Sequence, residues 1–293
     1  MPKTFTWQFK VRTYEIDQFG HVNNANYLNY LEEAATQAST DAGYSLQWYL
    51  EHHLYWLVRK WTIRYFQPAV YGDELEVTTW VSDVRRVRSN REYLMTRPRD
   101  GAKIVRARTN WVLVNAATIK PVRIPSEMGQ AFEPPNEPLE DLGVRLRNAE
   151  GMNQHQFISY RVAQSYEVDL AGHVNNANYL RWIETAYNNA ISSVNWSLKR
   201  QIEEHRFAIF SAGHEIEYFK PALEGDPIKI ISYVTEVARV RGAWIHEIRH
   251  AESDELLARE YSVGAFVDIS GEQPTPTRIP PEMLNAAVTG IPG

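Results

Sequence analysis

The octapeptide GHVNNANY occurs twice in this chain, at residues 20–27 and again, unchanged, at residues 172–179. When the two copies are aligned, further pairs of similar segments follow in the same order in both halves. These pairs are YFQPAVYGD (65–73) with YFKPALEGD (218–226), after a slip of one residue, and RIPSEM (123–128) with RIPPEM (278–283). The repeat therefore comprises a whole domain, and the sequence predicts two domains of one fold.

A segment rich in Pro, Glu and Asn separates the two halves. Its composition and weak periodicity are typical of a linker, and we expect it to contain one short helix. We therefore predict a first domain at residues 1–133, a linker at 134–156 and a second domain at 157–293.

Both halves have the same predicted order of elements. A strand-like run leads into a turn that contains an Asp, and a helix then begins near the second Asn of the motif. In the first copy, apolar residues follow helical spacing from Tyr27 to Ala42, and Gly43 is well placed to end the helix. Four strand-like runs follow. This order predicts an α+β domain in which an antiparallel sheet wraps around one long helix.

Composition excludes several classes of function. A net charge of -5 and a charged fraction of 23% are unlike a nucleic-acid-binding protein, and no apolar run is long enough to span a bilayer. The first residues do not resemble a signal peptide, so we expect a cytoplasmic protein. The chain contains no cysteine, which excludes disulfides, thiolate metal sites and a cysteine nucleophile. We expect neither a metal ion nor another cofactor.

The segments YEIDQFGHVNNANYLNYLEE and YEVDLAGHVNNANYLRWIET resemble the signature of the hotdog-fold acyl thioesterases of the 4-hydroxybenzoyl-CoA thioesterase type. In that signature an Asp precedes the His of the GHVNN turn by four residues. The duplication is similar to that of the acyl-ACP thioesterases, although Phe19 and Ala171 stand where the plant-type enzymes have Asn. The resemblance implies a tandem (double) hotdog. It also implies that the two domains pair sheet to sheet as a pseudo-dimer, with a site at each seam.

The resemblance further implies hydrolysis of an acyl thioester in fatty acid metabolism, with acyl-CoA or an acyl carrier protein (ACP) as the partner. Asp17 and Asp169 are the expected nucleophiles or general bases, and the sequence leaves both roles open. By the same resemblance, the backbone N–H groups of Asn24 and Asn176 would stabilise the oxyanion. Such donors suit this task because the amino end of a helix carries a positive partial charge.

Other motif residues have expected supporting roles. We expect His21 and His173 to fix the turn and polarise its donors rather than to transfer protons. Glu32 and Glu184 lie about two turns into the predicted helices, where they either line the pocket or are exposed. The arginines of two predicted hairpins either meet the phosphates of CoA or an acidic carrier, or are simply solvated. The residues expected to bind substrate are Asn23, Asn175, Tyr27, Tyr179, Arg86, Arg88, Arg239 and Arg241. The Asn side chains are also expected to cap the helices.

Two alternatives remain open at this stage. Hotdog hydratases and dehydratases act on acyl-CoA with an Asp/His pair, so Asp17 and His21 could instead remove a proton from carbon. Their signature has a longer gap between Asp and His. The other alternative is a non-catalytic protein that binds acyl thioesters, although such a protein needs no carboxylate facing the thioester. Because hotdog pairs often associate further, homo-oligomers of the pseudo-dimer are also expected.

Overall fold

The computed structural model describes residues 3–135, 138–146, 150–152 and 155–293. The chain divides into two compact units, Met1–Leu142 and Gly143–Gly293. This division lies within the segment that the sequence identifies as the linker. The expected linker helix is wrong for the part of 134–156 that is described, where no helix occurs. The nearest helix precedes that segment because RIPSEM starts a helix directly after its proline.

The first unit follows the predicted order of a strand, a long helix and four strands. Its elements are β1 (Thr4–Lys10), α1 (Asn24–Asp41), α2 (Leu46–Glu51), β2 (Leu54–Tyr65), β3 (Glu74–Val84), β4 (Arg88–Arg97), β5 (Ala102–Asn115) and α3 (Ser126–Ala131). The strands lie in the order β1-β3-β4-β5-β2, and every neighbouring pair is antiparallel. Helix α1 packs against β1 and β3.

The second unit repeats this arrangement. Its elements are β6 (Glu150–Gly151), β7 (Phe157–Val162), α4 (Asn176–Ser193), α5 (Leu198–Glu203), β8 (Phe207–Tyr218), β9 (Pro227–Ala238), β10 (Arg241–His250), β11 (Leu256–Asp268), β12 (Thr275–Pro276) and α6 (Pro281–Thr289). The main strands lie in the order β7-β9-β10-β11-β8 and are antiparallel. Short β6 adds to β9, and β12 adds to β11. The predicted α+β tandem hotdog is confirmed.

The long helices begin and end for identifiable reasons. Helices α1 and α4 begin at Asn24 and Asn176, the second Asn of each motif, as predicted. After α1, Gly43 has a φ of +94° and donates its N–H to Thr40 O at 2.9 Å, which is the Schellman ending that favours glycine. After α4 the same position is Asn195, with a φ of +67°. Asparagine is one of the few other residues that tolerates this region.

Small and apolar residues hold each helix against its sheet. Leu28, Leu31 and Ala34 of α1 have no exposed surface, and the small side chain of Ala34 allows the sheet to approach closely. Burial of each leucine stabilises the fold by roughly 1.5–3 kcal/mol. None of the helices within the described ranges is both long enough and apolar enough to cross a membrane.

Candidate active site

A tight turn fixes the first aspartate. The N–H of Asp17 donates to His21 O at 2.7 Å, and Gly20 closes the turn by donating to Asp17 O at 3.0 Å. Gly20 has a φ of +79°, a conformation that side-chain-bearing residues rarely adopt. Asp17 Oδ1 accepts the N–H groups of Phe19 at 2.8 Å and His21 at 3.1 Å. The carboxylate is therefore held in one orientation just before α1.

The second aspartate sits in the same turn and is partly buried. Asp169 donates its N–H to His173 O at 2.9 Å, and its Oδ1 accepts the N–H of Ala171 at 2.8 Å. Burial raises the pKa of Asp169, and hydrogen bonds from Ala171, His173 and the Asn175 side chain oppose this rise only in part. A carboxylate with a raised pKa is a stronger base than an ordinary aspartate.

The first Asn of each motif caps the helix, as predicted. Asn23 Oδ1 accepts the N–H of Ala25 at 3.0 Å, and Asn175 Oδ1 accepts the N–H of Ala177 at 2.9 Å. An asparagine cap of this kind stabilises a helix by about 1 kcal/mol. In the second half, the Asn175 side chain also bonds Asp169, so one residue joins the aspartate to the helix start.

Asn24 and Asn176 are consequently the first residues of their helices. Their backbone N–H groups lie at the amino ends of α1 and α4, where the helix dipole is positive. Each helix start follows the aspartate turn directly, and short antiparallel bridges join the two sides of the turn, between Ile16 and Val22 in the first half. This arrangement places a carboxylate and a set of backbone donors at one end of each long helix.

A buried glutamate beside each aspartate turn forms several hydrogen bonds, a role that was not predicted from the sequence. Glu167 accepts Arg161 Nη2 at 2.7 Å, Gln164 N at 2.9 Å and Trp182 Nε1 at 2.8 Å. Glu15 accepts both the N–H and the guanidinium of Arg12. The backbone carbonyls of both glutamates also accept N–H groups of the capping asparagines. The sequence signal for this role is the glutamate of the Tyr-Glu pair, which occurs at the corresponding position in both halves.

The two motif tyrosines predicted to bind substrate are buried scaffold residues. The hydroxyls of Tyr27 and Tyr179 accept the N–H groups of Ala69 at 3.1 Å and Ala222 at 2.8 Å, respectively. Burial raises the pKa of Tyr27 to about 12. These hydrogen bonds connect the YFQPA and YFKPA segments to α1 and α4, respectively.

The other predicted catalytic side chains differ between the halves. His21 and His173 are both partly buried at the turn. Glu32 is partly buried. Burial is the main cause that raises the pKa of Tyr93 to about 12, and the carboxylate of Glu32 makes a smaller contribution in the same direction. Glu184, at the corresponding position, is exposed. Glu32 therefore faces the interior of its unit more closely than Glu184 does.

The four predicted hairpin arginines are exposed. Arg86 and Arg239 lie between β3 and β4 and between β9 and β10, respectively, and Arg88 and Arg241 are the first residues of β4 and β10. Within the described ranges, none of the four forms an ion pair with a carboxylate. They remain accessible to an anionic partner. The structure brings together the aspartate, the histidine and the asparagines of each motif at the turn before each long helix.

Comparison with known proteins matches each half separately. Residues 2–132 match the acyl-ACP thioesterase N-terminal domain, and residues 163–287 match the thioesterase-like superfamily. The long-chain acyl-CoA thioesterase FadM of Escherichia coli (strain K12) is 30% identical over 126 residues, which are 43% of this chain and 95% of that protein. The chloroplastic palmitoyl-acyl carrier protein thioesterase of Cuphea hookeriana is 26% identical over 189 residues, covering 61% of this chain. The chain spans about half the length of such plant relatives, 46% in this case.

Solved structures extend the similarity of fold over both halves. The 12:0-ACP thioesterase from Umbellularia californica has a TM-score of 0.66 at 18% identity and covers 93% of this chain and 94% of its own. An acyl-ACP thioesterase from Bacteroides thetaiotaomicron has a TM-score of 0.65 at 19% identity, with coverages of 89% and 97%. At these identities the similarity shows the fold.

Proposed function

Because this chain belongs to the hotdog-fold thioesterases, we propose that it hydrolyses acyl thioesters to a free acid and a thiol. The observation that carries the proposal is the paired geometry at the two helix starts. In each half a carboxylate held by backbone donors directly precedes the amino end of a buried helix. A thioester carbonyl needs these two groups together, a base or nucleophile and a set of oxyanion donors.

In the general-base route, Asp17 or Asp169 takes a proton from water while the water oxygen attacks the thioester carbon. The carbonyl oxygen becomes an oxyanion that accepts hydrogen bonds from the N–H groups at the helix start, those of Asn24 and Asn176. When the tetrahedral intermediate collapses, the C–S bond breaks and the sulfur leaves with the proton that the aspartate had taken. In the nucleophilic route, the carboxylate attacks the thioester carbon, the C–S bond breaks with release of the thiolate, and the resulting mixed anhydride is then cleaved by water to the free acid and the aspartate.

We infer that the carrier is CoA or an acyl carrier protein. The exposed arginines of the two hairpins support this choice because guanidinium groups pair readily with phosphates and acidic surfaces. Substitution of Arg86 and Arg88 together should raise KM more for the thioester of the carrier that these arginines contact than for the thioester of the other carrier. Comparing acyl-CoA with acyl-ACP of the same chain length would distinguish the two carriers.

The decisive experiment measures thiol release across an acyl-CoA panel with a thiol reagent. The chain contains no cysteine, so the protein contributes no background. The double substitution Asp17→Asn and Asp169→Asn should lower the rate at least ~10²-fold, as expected for loss of a base or nucleophile. Asp41→Asn, at the exposed far end of α1, is the matched control and should have no effect.

Full activity in the double variant would overturn the assignment of the site. Loss of the conjugated absorbance of an enoyl-CoA with no release of thiol would instead indicate hydration. Tight binding of acyl-CoA without turnover would indicate a binding protein.

A further inference from the structure

Strand β7 carries three exposed apolar side chains on its outer face, the face turned away from α4. Ile158, Tyr160 and Val162 alternate along the strand, and their exposed fractions are 51%, 70% and 48%. The intervening Arg161 points the other way, with its Cζ 4.4 Å from the centre of the Trp182 ring of α4. Strands of antiparallel sheets usually turn polar side chains to solvent. This stripe of Ile158, Tyr160 and Val162 has the reverse pattern.

The first unit has polar residues at the same three positions. When the two GHVNNANY copies are aligned, β1 corresponds to β7, and its outward residues are Thr6, Gln8 and Lys10. Two of them also bond the neighbouring strand. Thr6 Oγ1 lies 3.5 Å from Thr78 Oγ1, and Gln8 Nε2 donates to Glu76 Oε2 at 2.8 Å. The fold therefore does not require apolar residues on this face, and the stripe in the second unit needs another explanation.

Strand β7 also lies at an edge of its sheet. Among the described strands it pairs with β9 alone, and this pairing has no register shift. Alternate residues of an edge strand direct their N–H and C=O groups away from the sheet, so another strand can pair there. Natural edge strands often carry a lysine, a proline or a bulge that prevents such pairing. The sequence of β7, FISYRV, has neither lysine nor proline.

The cations beside the stripe are neutralised within the unit. Lys229 of β9 stands opposite Tyr160 in the ladder, and its Nζ is 3.1 Å from Asp254 Oδ1. Arg161 pairs with Glu167 at 2.7 Å. An anionic partner would therefore have to compete with carboxylates that already hold both cations. The charges favour a partner surface that is apolar and brings no net charge of its own.

The stripe is complementary to a second copy of itself. In an antiparallel pair of β7 strands with a two-fold axis at Tyr160, Ile158 of one copy faces Val162 of the other, and the two Tyr160 side chains face each other. Apolar and aromatic pairs of this kind are favourable between neighbouring strands. On the inner face Arg161 would be opposite Ser159, so no like charges meet. The same pairing of two β1 strands would bring only polar side chains together.

We propose that two copies of this chain associate through β7, antiparallel and edge to edge, so that the sheet of the second unit continues across a two-fold axis. Such an interface is isologous, which is the commonest arrangement in homodimers. The paired strands are short, and the interface is smaller than the ~800 Å² per partner of a standard stable complex. The dimer should therefore dissociate on dilution. The proposal concerns assembly and does not depend on the proposed thioesterase activity.

The first test measures mass against protein concentration by sedimentation equilibrium. The mass of the wild type should rise from 33.9 kDa toward twice that value. Tyr160→Lys places two lysines opposite each other at the axis and should keep the mass of a single chain. Gln8→Lys makes the same change at the corresponding position of the first unit and should dimerise like the wild type. Because both residues are exposed, both variants should retain the melting temperature of the wild type.

The second test traps the pairing and its register. The chain contains no cysteine, so Tyr160→Cys introduces a single thiol. Directly opposite Cα atoms of antiparallel strands lie about 4.5–5.5 Å apart, which a disulfide can bridge. Mild oxidation should give a covalent dimer of Tyr160→Cys, and also of an equimolar mixture of Ile158→Cys with Val162→Cys. Neither Ile158→Cys alone nor the control Gln8→Cys should form one.

Three outcomes would overturn the proposal. The first is a wild-type mass of 33.9 kDa at every concentration, with no cross-linked dimer. The second is a dimer that Tyr160→Lys leaves intact, which would assign the interface to another surface. The third is binding of the monomeric wild type to phosphatidylcholine vesicles that is lost in Tyr160→Lys, which would assign the stripe to a lipid surface instead.

Discussion

The two halves share the same aspartate turn but have different interiors. Residues that face the helix in the first unit correspond to residues 153 positions later in the second. In the first unit the rings of Trp61 and Tyr93 lie 5.3 Å apart. In the second unit the same two positions are His214 and His246, and Glu260 replaces an alanine. The turn residues do several tasks at once and stay constant, whereas interior positions need only fill space and have diverged.

These replacements place ionisable side chains in the interior of the second unit. His214 Nδ1 is 2.6 Å from Glu260 Oε1, and His246 Nδ1 is 2.8 Å from Ser232 Oγ. All four side chains are buried. Burial, with a smaller contribution from His214, lowers the pKa of His246 to about 3, and burial raises the pKa of Glu260. The second unit therefore carries an acid-sensitive core at positions where the first has aromatic and small residues.

The largest difference that we expect between the halves is kinetic. Burial raises the pKa of Asp169, so this carboxylate should be the stronger base at neutral pH. Asp169→Asn should lower kcat about 10²-fold, and Asp17→Asn, its counterpart in the other half, less than about tenfold. Thiol release from one acyl-CoA measures both. Equal losses in the two variants would show that the halves are kinetically equivalent.

The next comparison concerns the buried hydrogen bond between His214 and Glu260 in the second core. Glu260→Ala removes this hydrogen bond and gives the position the alanine of the first unit. It should lower the free energy of unfolding by about 2 kcal/mol, because a buried hydrogen bond is lost and the smaller side chain leaves a cavity. Urea unfolding checks this value. Glu224→Ala, at an exposed site in the same unit, is the control and should lie within about 0.5 kcal/mol of the wild type. An unchanged free energy of unfolding would mean that the interaction of His214 with Glu260 contributes nothing to stability.

A third test uses pH. The pKa of His246 is about 3 in the folded protein, below its usual value of 6.5, so between these values only the unfolded chain takes up this proton. Stability from this residue is present above pH 6.5 and is lost as the pH falls toward 3. His246→Tyr, which introduces the residue of the first unit, should flatten the fall in melting temperature between pH 7 and pH 5. The same slope in both proteins would contradict this account.

Much of the fold could be predicted because the sequence repeats. The order of elements, the helix starts at Asn24 and Asn176 and the glycine ending of α1 follow from local rules of spacing and capping. The expected helix between the halves was wrong for the described residues. Composition identifies a linker but does not determine its local conformation.

The candidate site was predicted less completely. Its turn residues could be named because they are adjacent in sequence and repeated. The buried roles of Glu15 and Glu167 depend on partners contributed by other segments, such as Trp182, and a single sequence does not show such contacts. The same holds for Tyr27, whose hydroxyl bonds a residue 42 positions away. Long-range polar contacts of this kind appear only once the chain is folded.

The smallest expected effect concerns the stability contributed by the aspartates. Because burial raises the pKa of Asp169, the folded protein holds this proton to a higher pH than the unfolded chain does. Stability from this residue is therefore present below its unfolded value of 3.8 and is lost as the pH rises through the folded pKa. Asp169→Asn should melt slightly higher than the wild type at pH 8 and equally at pH 3.5, with Asp17→Asn as the matched variant. A lower melting temperature for Asp169→Asn at pH 8 would show that the hydrogen bonds to its carboxylate outweigh the burial of its charge.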